Sequence, residues 1–270
     1  CEKELAAISQ YQVLRGPDAG GSWYSNDHSI GPAHRRLSII DHHETANQPM
    51  TAAMASLTIV FNGEIYNYRE LRQELVAAGR EFKTEGDTEV LLQAYAHWGE
   101  GCLGRLRGMY AFAIWDDRRK RLFLARDPYG IKPLYYAHDG LTFRFASQVK
   151  ALLAGGAVSR TPSPAGVTGF LMMGSVVAPH TIYQDIFSIP SGSSMCVDAN
   201  GVGLPQKFFS ISEVWRQASE SPRTYLPDEF QSLVRGALVD SVKHHIIADV
   251  PVGTFLSAGI DSGALLALMR

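Results

Sequence analysis

Paired apolar runs joined by short polar connections constrain the fold of this chain most strongly. Met109–Trp115 and Leu122–Ala125 are apolar runs rich in strand-forming residues, and the charged stretch Asp116–Arg121 joins them. This pattern predicts a β-hairpin on a buried sheet. Leu134–Ala137 and Leu141–Ala146 repeat it around a second polar turn. Antiparallel strands are therefore expected at the centre of the chain.

Segments with helical periodicity precede these strands in the sequence. The spacing of apolar residues predicts a short helix over Glu2–Leu14 and an amphipathic helix over Tyr68–Ala78. Another helix is predicted to start at Asp87, at the N-cap position. Leu57–Phe61 predicts a strand, and Asn62-Gly63 predicts a tight turn directly after it.

Length and composition place the chain among globular proteins of one large or two ordinary domains. It has 270 residues, of which 46% are hydrophobic and 19% charged, and this excludes disorder of the whole chain. Glycine and proline cluster between Asp198 and Pro227. We therefore expect a first domain over residues 1–200, a linker over 201–227 and a second domain over 228–270.

The second domain is expected to be only a beginning, truncated after a few elements. A helix capped by Asp228, a buried strand over Val250–Leu256 and a helix from Ala264 cannot by themselves close a doubly wound sheet.

Charge and cysteine usage exclude several classes of protein. Lys plus Arg number 25 and Asp plus Glu 27, a net charge of −2, which is too balanced for a dedicated nucleic-acid or acidic-membrane binder. The sequence shows neither a membrane span nor a signal pattern, so a cytoplasmic protein is expected. Cys1, Cys102 and Cys196 are odd in number and widely spaced, which fits neither a disulfide framework nor a structural zinc site.

The loop Ser257–Gly263 stands between a predicted strand and a predicted helix, where backbone N–H groups favour a phosphate. It has no Walker lysine. Asp261 among small residues suggests instead a pyrophosphate cradle with a carboxylate for Mg²⁺. A plain strand-to-helix turn, with Asp261 or Ser262 as a cap, is an equal alternative.

Two features could support nucleophilic catalysis. Cys1 could be activated by its own α-amine, and Asn62-Gly63 offers a side-chain amide and a backbone N–H of the kind that an oxyanion hole needs. From the residues alone, an ordinary apolar Cys1 and an ordinary hairpin turn at Asn62-Gly63 are the favoured alternatives.

Arg36, Glu64 and Asp87 supply a forked cation and two carboxylates, which could hold both ends of a zwitterionic amino acid. A surface cation, a solvated turn residue and a helix N-cap are the respective alternatives.

Together, the motifs resemble the glutamine-dependent asparagine synthetase family. The resemblance rests on stretches in the family's order: Arg15-Gly16-Pro17-Asp18, HRRLSIID (34–41), Gln48-Pro49-Met50, FNGEIYNYRELR (61–72), GDTEVLL (86–92), GMYAFAIWD (108–116), ARDPYGIKPLYY (125–136), FAS (145–147) and DVPVGTFLSAGIDS (249–262). The last stretch resembles the S-G-G-x-D-S loop of ATP-pyrophosphatase domains.

The resemblance implies an α+β fold, with a four-layer αββα N-terminal-nucleophile glutaminase followed by the start of an α/β ATP-pyrophosphatase domain. It also implies the substrates glutamine, aspartate and ATP, the ion Mg²⁺, and a homodimer. Ammonia from glutamine would aminate aspartate activated as β-aspartyl-AMP, giving asparagine, AMP and pyrophosphate.

By the same resemblance, Cys1 attacks the glutamine amide, and Asn62 and Gly63 stabilise the oxyanion. Arg36 holds the substrate carboxylate, and Glu64 and Asp87 hold its amine. The pocket is lined by Arg36, Leu37, Ser38, Ile39 and Ile40 as well as Asn62, Gly63, Glu64 and Asp87. The ATP and pyrophosphate residues are Leu256, Ser257, Ala258, Gly259, Ile260, Asp261 and Ser262, with Asp261 on the metal.

The chain departs from the family pattern at its start and in its loop. The family usually opens with a Cys-Gly-Ile strand, whereas helix-forming Glu2-Lys3-Glu4-Leu5 follows Cys1 here. Either residues are omitted or the glutaminase centre is impaired. Ala258 replaces a loop glycine, and Gln148 stands where the family commonly has glutamate. Two alternatives therefore stay open: a related amidotransferase that aminates another carboxylate, and a non-catalytic remnant.

Overall fold

The computed structural model describes residues 2–52 and 56–269. The described chain forms two compact units. The first contains the residues up to Ser38 together with His43–Ser210, and the second contains Ile39–His42 together with the residues from Ile211 onward.

The first unit mixes helices with short and long strands. Its helices are α1 (Glu2–Tyr11), α2 (Tyr68–Ala77), α3 (Asp87–Trp98), α4 (Val149–Ala154) and α5 (Pro164–Met173). Its strands are β1 (Ala19–Ser22), β2 (Ala33–Arg36), β3 (Met50–Ala52), β4 (Leu57–Ile65), β5 (Gly108–Asp116), β6 (Arg121–Arg126), β7 (Tyr135–His138), β8 (Phe143–Ala146), β9 (Phe187–Ser188), β10 (Ser193–Asp198), β11 (Gly201–Val202) and β12 (Gln206–Lys207).

The strands form two sheet layers. The larger sheet has the order β11-β10-β6-β5-β4-β3, with β12 also paired to β10. Its strand pairs are antiparallel, and β4 pairs β5 with Asn62 opposite Ala111. The second layer consists of the β1-β2 pair and the β8-β7-β9 sheet. The predicted hairpins β5-β6 and β7-β8 are thus both confirmed.

Alternation along β5 explains why the two layers stack. Ala111, Ala113 and Trp115 lie in an apolar cluster with Leu134, against which Phe143 of β8 packs. Successive strand side chains point to opposite faces, so the intervening residues face away from that cluster. There Phe112 lies 6.1 Å from Phe123 between ring centroids, within the helix-facing core. Burial of both faces explains why β5 has apolar side chains at every position from Tyr110 to Trp115.

Helices cover the outer face of each layer. On one side α2 packs on α3, and α3 packs on β4. The ring of Tyr95 in α3 stacks on Phe123 of β6 at 5.2 Å. On the other side Ile8 of α1 and Leu152 of α4 share a buried cluster with Ala146 of β8. The four layers are helix, sheet, sheet and helix, which confirms the expected αββα architecture.

Two local predictions for the first unit are wrong. Asn62-Gly63 is not a turn, because β4 continues without a break to Ile65 and both residues pair with β5. Asp87 does not precede α3 as its N-cap. It is the first helical residue, after Gly86, and its carboxylate instead accepts a hydrogen bond from strand β4.

The second unit is helical in its described part. It contains α6 (Ile211–Glu220), α7 (Pro227–His245) and α8 (Ile260–Leu268). Helix α7 begins at Pro227, with Leu226 rather than Asp228 as its N-cap. Proline at the first helical position gives up only an N–H that has no helical partner.

The predicted strand over Val250–Leu256 does not form, because no described strand lies beside it to complete a ladder. Helix α8 starts at Ile260, before the predicted Ala264, so the second half of the predicted loop is its first turn. Among the residues described, no helix combines the length and apolarity that crossing a bilayer requires.

Candidate active site

Strand β4 presents Asn62 toward the space between the two sheets. Val60 belongs to the inter-sheet cluster, and the two-residue period of a strand places Asn62 and Glu64 on the same face. The amide Nδ2 of Asn62 donates a hydrogen bond to Ser147 Oγ at 3.3 Å. Asn62 is therefore anchored to the segment that follows β8, with its amide beside the inter-sheet space.

Gly63 lies at a close approach of β5 to β4. A Cβ added at Gly63 would lie 2.2 Å from the carbonyl oxygen of Met109 and 2.7 Å from the Cα of Tyr110. Only a residue without a side chain fits this approach. The glycine thus serves close strand packing and not the positive φ of a turn.

Asp87 is a buried carboxyl at the start of α3. Its Oδ2 accepts a hydrogen bond from the backbone N–H of Ile65 at 2.9 Å. Burial and, to a smaller extent, the negative charge of Glu64 raise the pKa of Asp87 to about 7, against the lowering effect of the Ile65 hydrogen bond. The fold therefore places the negative charge of Glu64 near enough to Asp87 to raise the pKa of that carboxyl.

Arg36, at the end of β2, is 8% exposed. One of its terminal nitrogens, Nη1, donates to the carbonyl oxygen of His43 at 3.2 Å and to Asn47 Oδ1 at 2.9 Å. These hydrogen bonds orient the guanidinium. A guanidinium has the planar, forked shape that binds a carboxylate through two parallel hydrogen bonds.

His34 connects the strand of Arg36 to the strand of Asn62. Its Nε2 lies 2.9 Å from the carbonyl oxygen of Phe61, so Nε2 carries the proton and donates it. Desolvation of the ring, together with the charge of Arg36, lowers the pKa of His34 to about 4, against the raising effect of the hydrogen bond to Phe61. The sequence prediction gave His34 no role, although it begins the HRRLSIID stretch.

Gln48 is a second residue that the sequence prediction missed. Its buried Oε1 accepts the backbone N–H of Phe61 at 2.6 Å, and its Nε2 donates to Thr88 Oγ1 at 3.3 Å. The side chain thus ties β4, next to Asn62, to the first turn of α3, next to Asp87. The sequence signal that could have identified Gln48 is the Gln48-Pro49-Met50 stretch. This stretch contributed to the family resemblance, but no role was assigned to its residues.

A cavity of about 970 Å³ opens inside the first unit beside Asn62. It lies between the sheet layers, and its wall includes Val60, Trp115 and Phe145 as well as the polar Gln148. Its size falls within the range of roughly 300–1,000 Å³ that is common for small-molecule sites. Among the described lining residues, Asn62 is the one predicted site residue; Arg36, Gly63, Glu64 and Asp87 are not part of that lining.

The segment predicted to line the glutamine pocket divides between the two units. Leu37 is exposed, and the backbone N–H of Ser38 donates to Asp18 Oδ2 at 2.8 Å. Ile39 and Ile40 group with the second unit. The carbonyl oxygen of Ile39 accepts the backbone N–H of Asp249 at 3.0 Å.

The predicted nucleotide loop is exposed and internally hydrogen-bonded. Ser257 Oγ lies 2.9 Å from Ser262 Oγ and accepts the backbone N–H of Gly259 at 3.2 Å. Gly259 precedes α8, and Ile260 and Asp261 lie in its first turn. Leu256 and Ala258 are also exposed. Backbone N–H groups of a helix start are thus available on a small-residue loop.

Asp261 is a single carboxylate at this loop. In residues 2–52 and 56–269, no three His, Cys, Asp or Glu side chains cluster closely enough to hold a metal ion by themselves. One carboxylate together with substrate phosphates is a donor set that suits Mg²⁺. The predicted nucleophile Cys1 lies outside the described residues.

Comparison with known proteins identifies two regions. Residues 1–209 match the family model described as glutamine amidotransferase domain, and residues 233–270 match that described as asparagine synthase.

The names of the curated relatives mention both glutamine hydrolysis and asparagine synthesis. The chain is 37% identical over 257 residues to asparagine synthetase (glutamine-hydrolysing) 3 of Bacillus subtilis, covering 94% of this chain and 40% of the relative. It is 38% identical over 269 residues to asparagine synthetase (glutamine-hydrolysing) 1 of the same organism, covering 100% and 41%. The chain thus spans about two fifths of the length of these relatives.

Among solved structures, the glutamine phosphoribosylpyrophosphate amidotransferase of B. subtilis, in complex with ADP and GMP, aligns with a TM-score of 0.56. The match covers 77% of this chain and 47% of that chain at 19% identity. This likeness supports the fold alone.

Proposed function

The chain belongs to the glutamine amidotransferase domain family, and on that premise we propose that it hydrolyses glutamine to glutamate and ammonia. The observation that carries the proposal is the grouping at the end of β4. There Asn62 borders a cavity, and the negative charge of Glu64 is near enough to Asp87 to raise its pKa. A side-chain amide that donates hydrogen bonds, together with two acidic groups, is suited to bind an amino acid whose side-chain carboxamide reacts.

Each end of glutamine has a partner in this proposal. The guanidinium of Arg36, which His43 and Asn47 orient, binds the α-carboxylate, because its forked donors match the two oxygens of a carboxylate. Glu64 and Asp87 bind the α-ammonium. Leu37, Ser38, Ile39 and Ile40 line the pocket beside Arg36.

Hydrolysis needs a nucleophile and a group that stabilises the oxyanion. We assign the first role to the thiol of Cys1, with its α-amine as the base, and the second to Asn62 Nδ2 and the backbone N–H of Gly63. His34 and Gln48 act as positioning residues, because both hold the backbone of Phe61, which precedes Asn62.

The ammonia is used, in our proposal, by an asparagine synthetase reaction. Aspartate is activated by ATP as β-aspartyl-AMP and then aminated to asparagine, with release of AMP and pyrophosphate. The asparagine synthase match over residues 233–270 and the names of the curated relatives support this. Use of ATP and free amino acids favours a cytoplasmic location.

Ser257–Ser262 would hold the pyrophosphate part of ATP, and Leu256 would contact the nucleotide. The exposed N–H groups at the start of α8 favour anionic oxygens. Asp261 would hold Mg²⁺, which neutralises charge on the phosphates when bound. Ser257 and Ser262 keep the loop compact through their mutual hydrogen bond.

Glutamate release from glutamine, measured before and after thiol alkylation, tests this function. The other two thiols, Cys102 and Cys196, are expected to react slowly with the alkylating reagent. Burial raises the pKa of Cys102 to about 12 and also raises the pKa of the half-buried Cys196. Alkylation should abolish release, and a Cys196→Ser variant should remain equally sensitive. Release that survives complete alkylation of Cys1 would refute the nucleophile assignment.

A further inference from the structure

Gln148 lies at the start of α4, where its backbone is firmly held. It is the N-cap residue of the helix, and its carbonyl oxygen accepts the backbone N–H of Ala151 at 3.1 Å. Ala151 and Leu152 are buried in the cluster that includes Ala146, the last residue of β8. The side chain of Gln148 makes no capping hydrogen bond. The helix start therefore fixes the position of Gln148 without using its side-chain amide.

The side-chain oxygen of Gln148 is a buried acceptor. No residue that the structure describes donates a hydrogen bond to its Oε1. Gln148 also belongs to the wall of the cavity between the two sheet layers. Because a buried acceptor without a donor is costly, such an atom in a cavity wall is a candidate contact for a bound molecule. The oxygen thus favours a cavity ligand that carries an N–H or O–H group.

The same wall holds a hydrogen-bond donor near this acceptor. Ser147, which directly precedes Gln148, accepts a hydrogen bond from Asn62 Nδ2 at 3.3 Å, and all three residues line the cavity. The amide of Asn62 has two N–H groups, and this bond uses one of them. In the proposed reaction the other N–H donates to the oxyanion. A donor side chain and an acceptor side chain therefore occupy adjoining positions of the wall.

His34 contributes a second acceptor to the wall of this cavity. Because Nε2 of His34 donates to the carbonyl oxygen of Phe61, Nδ1 has a free lone pair, and it too is buried without a donor among the described residues. A primary carboxamide presents one acceptor oxygen and two N–H donors. A carboxylate presents acceptors only, and an ester has no N–H. Of these three groups, the carboxamide suits a wall with one donor and two neutral acceptors.

We propose that Gln148 determines specificity for the carboxamide of glutamine: its Oε1 accepts an N–H of the carboxamide while Asn62 donates to the carboxamide oxygen. The inference rests on the proposed glutaminase function and adds selection of an amide over an ester. It also explains why Asn62 is the one predicted site residue in the described cavity lining. The carboxamide end of glutamine enters the cavity, and the α-end stays with Arg36, Glu64 and Asp87.

Hydrolysis of glutamine and of glutamic acid γ-methyl ester by variants of the full chain tests the proposal. The ester keeps the reacting carbonyl and both α-groups but offers Gln148 no N–H. Gln148→Leu should lower kcat/KM for glutamine roughly tenfold and leave kcat/KM for the ester within about twofold. Gln148→Glu retains an acceptor oxygen and should keep most of the preference for glutamine. Gln93→Leu, at a glutamine with one long, exposed hydrogen bond, is the matched control.

Both substrates are measured on one preparation, so the ratio of the two kcat/KM values does not depend on the folded fraction. Gln148→Met keeps the length of the side chain and gives the same comparison if Gln148→Leu does not fold. An equal loss for amide and ester, which a structural or water-binding role of Gln148 would produce, would overturn the specificity role. A wild type that hydrolyses neither substrate would instead overturn the proposed function.

Discussion

The Nε2 of His34 lies 2.9 Å from the carbonyl oxygen of Phe61, and this single hydrogen bond joins β2 to β4 at the residue before Asn62. It fixes the neutral tautomer of His34, with the proton on Nε2. Because the pKa of His34 is lowered to about 4, the ring stays neutral in the folded protein at pH values where a free histidine takes up a proton.

The stability contributed by His34 should therefore depend on pH. The unfolded chain binds a proton below about pH 6.5 and the folded chain only below about pH 4, so this stability is present above pH 6.5 and is lost as pH falls. Urea unfolding of wild type and His34→Asn should show a difference that grows by about 3 kcal/mol from pH 4 to pH 6.5. His97→Asn, at an exposed histidine, is the control. A difference that does not vary with pH would contradict the buried neutral ring.

Asp87 should make glutamine binding depend on pH. Its pKa of about 7 means that the carboxyl is increasingly protonated below pH 7 and cannot pair with the α-ammonium of glutamine. The KM should rise as pH falls below 7, with a smaller change in kcat. Glu64→Gln removes a negative neighbour, so it should move the midpoint to lower pH while raising KM. A midpoint that stays fixed in Glu64→Gln would show that the two groups are not coupled.

Asp87 should also make the free energy of unfolding depend on pH, in the opposite direction to His34. The folded pKa of Asp87 lies above its unfolded value of 3.8, so its contribution is fully present below about pH 4 and is lost as pH rises through 7. An Asp87→Asn variant should lose this slope in urea unfolding experiments between pH 4 and 7. A wild-type slope that persists in the variant would place the titration elsewhere.

Gly63→Ala should destabilise the first unit by about 1–3 kcal/mol, because the added methyl group meets backbone atoms of β5 that cannot move independently. Gly101→Ala is a matched control, since a Cβ there has no heavy atom within 4 Å. Denaturant unfolding of both variants measures the difference. Equal stability of the two would contradict the close approach of β4 and β5.

Gln48→Ala should cost about 1–3 kcal/mol, because the buried N–H of Phe61 loses its acceptor. Gln93→Ala removes an amide with one long, exposed hydrogen bond to Glu81 and should have little effect. If Gln48 also positions Asn62 through Phe61, glutamine hydrolysis should fall in Gln48→Ala and stay unchanged in Gln93→Ala. Full activity in a destabilised Gln48→Ala would leave it a purely structural residue.

The sequence predicted the layered fold well because burial on both faces leaves a local signal. Met109–Trp115 is apolar at successive positions, and this indicated a strand covered on both sides before any partner was known. Helix α2 was equally clear, since its apolar periodicity ends at Gly79, which has a φ of 81°.

The predictions that were wrong depend on contacts distant in sequence. Asn62-Gly63 has the local chemistry of a turn, but pairing with Ala111 and Tyr110 extends the strand through it. The roles of His34 and Gln48 were not predictable either, because both act on Phe61, which is 27 and 13 residues away. The residues proposed to bind glutamine were identified from family motifs and not from spacing, so their roles stay predictions.

Transfer of label from [amide-¹⁵N]glutamine, in the presence of aspartate, ATP and Mg²⁺, tests the central claim most directly. Mass spectrometry of the products should find ¹⁵N in asparagine, together with unlabelled glutamate, and Asn62→Ala should reduce this transfer while the chain remains folded. Label released only as ammonia would support the glutaminase and contradict asparagine synthesis. Label that stays entirely in glutamine would contradict both glutamine hydrolysis and asparagine synthesis.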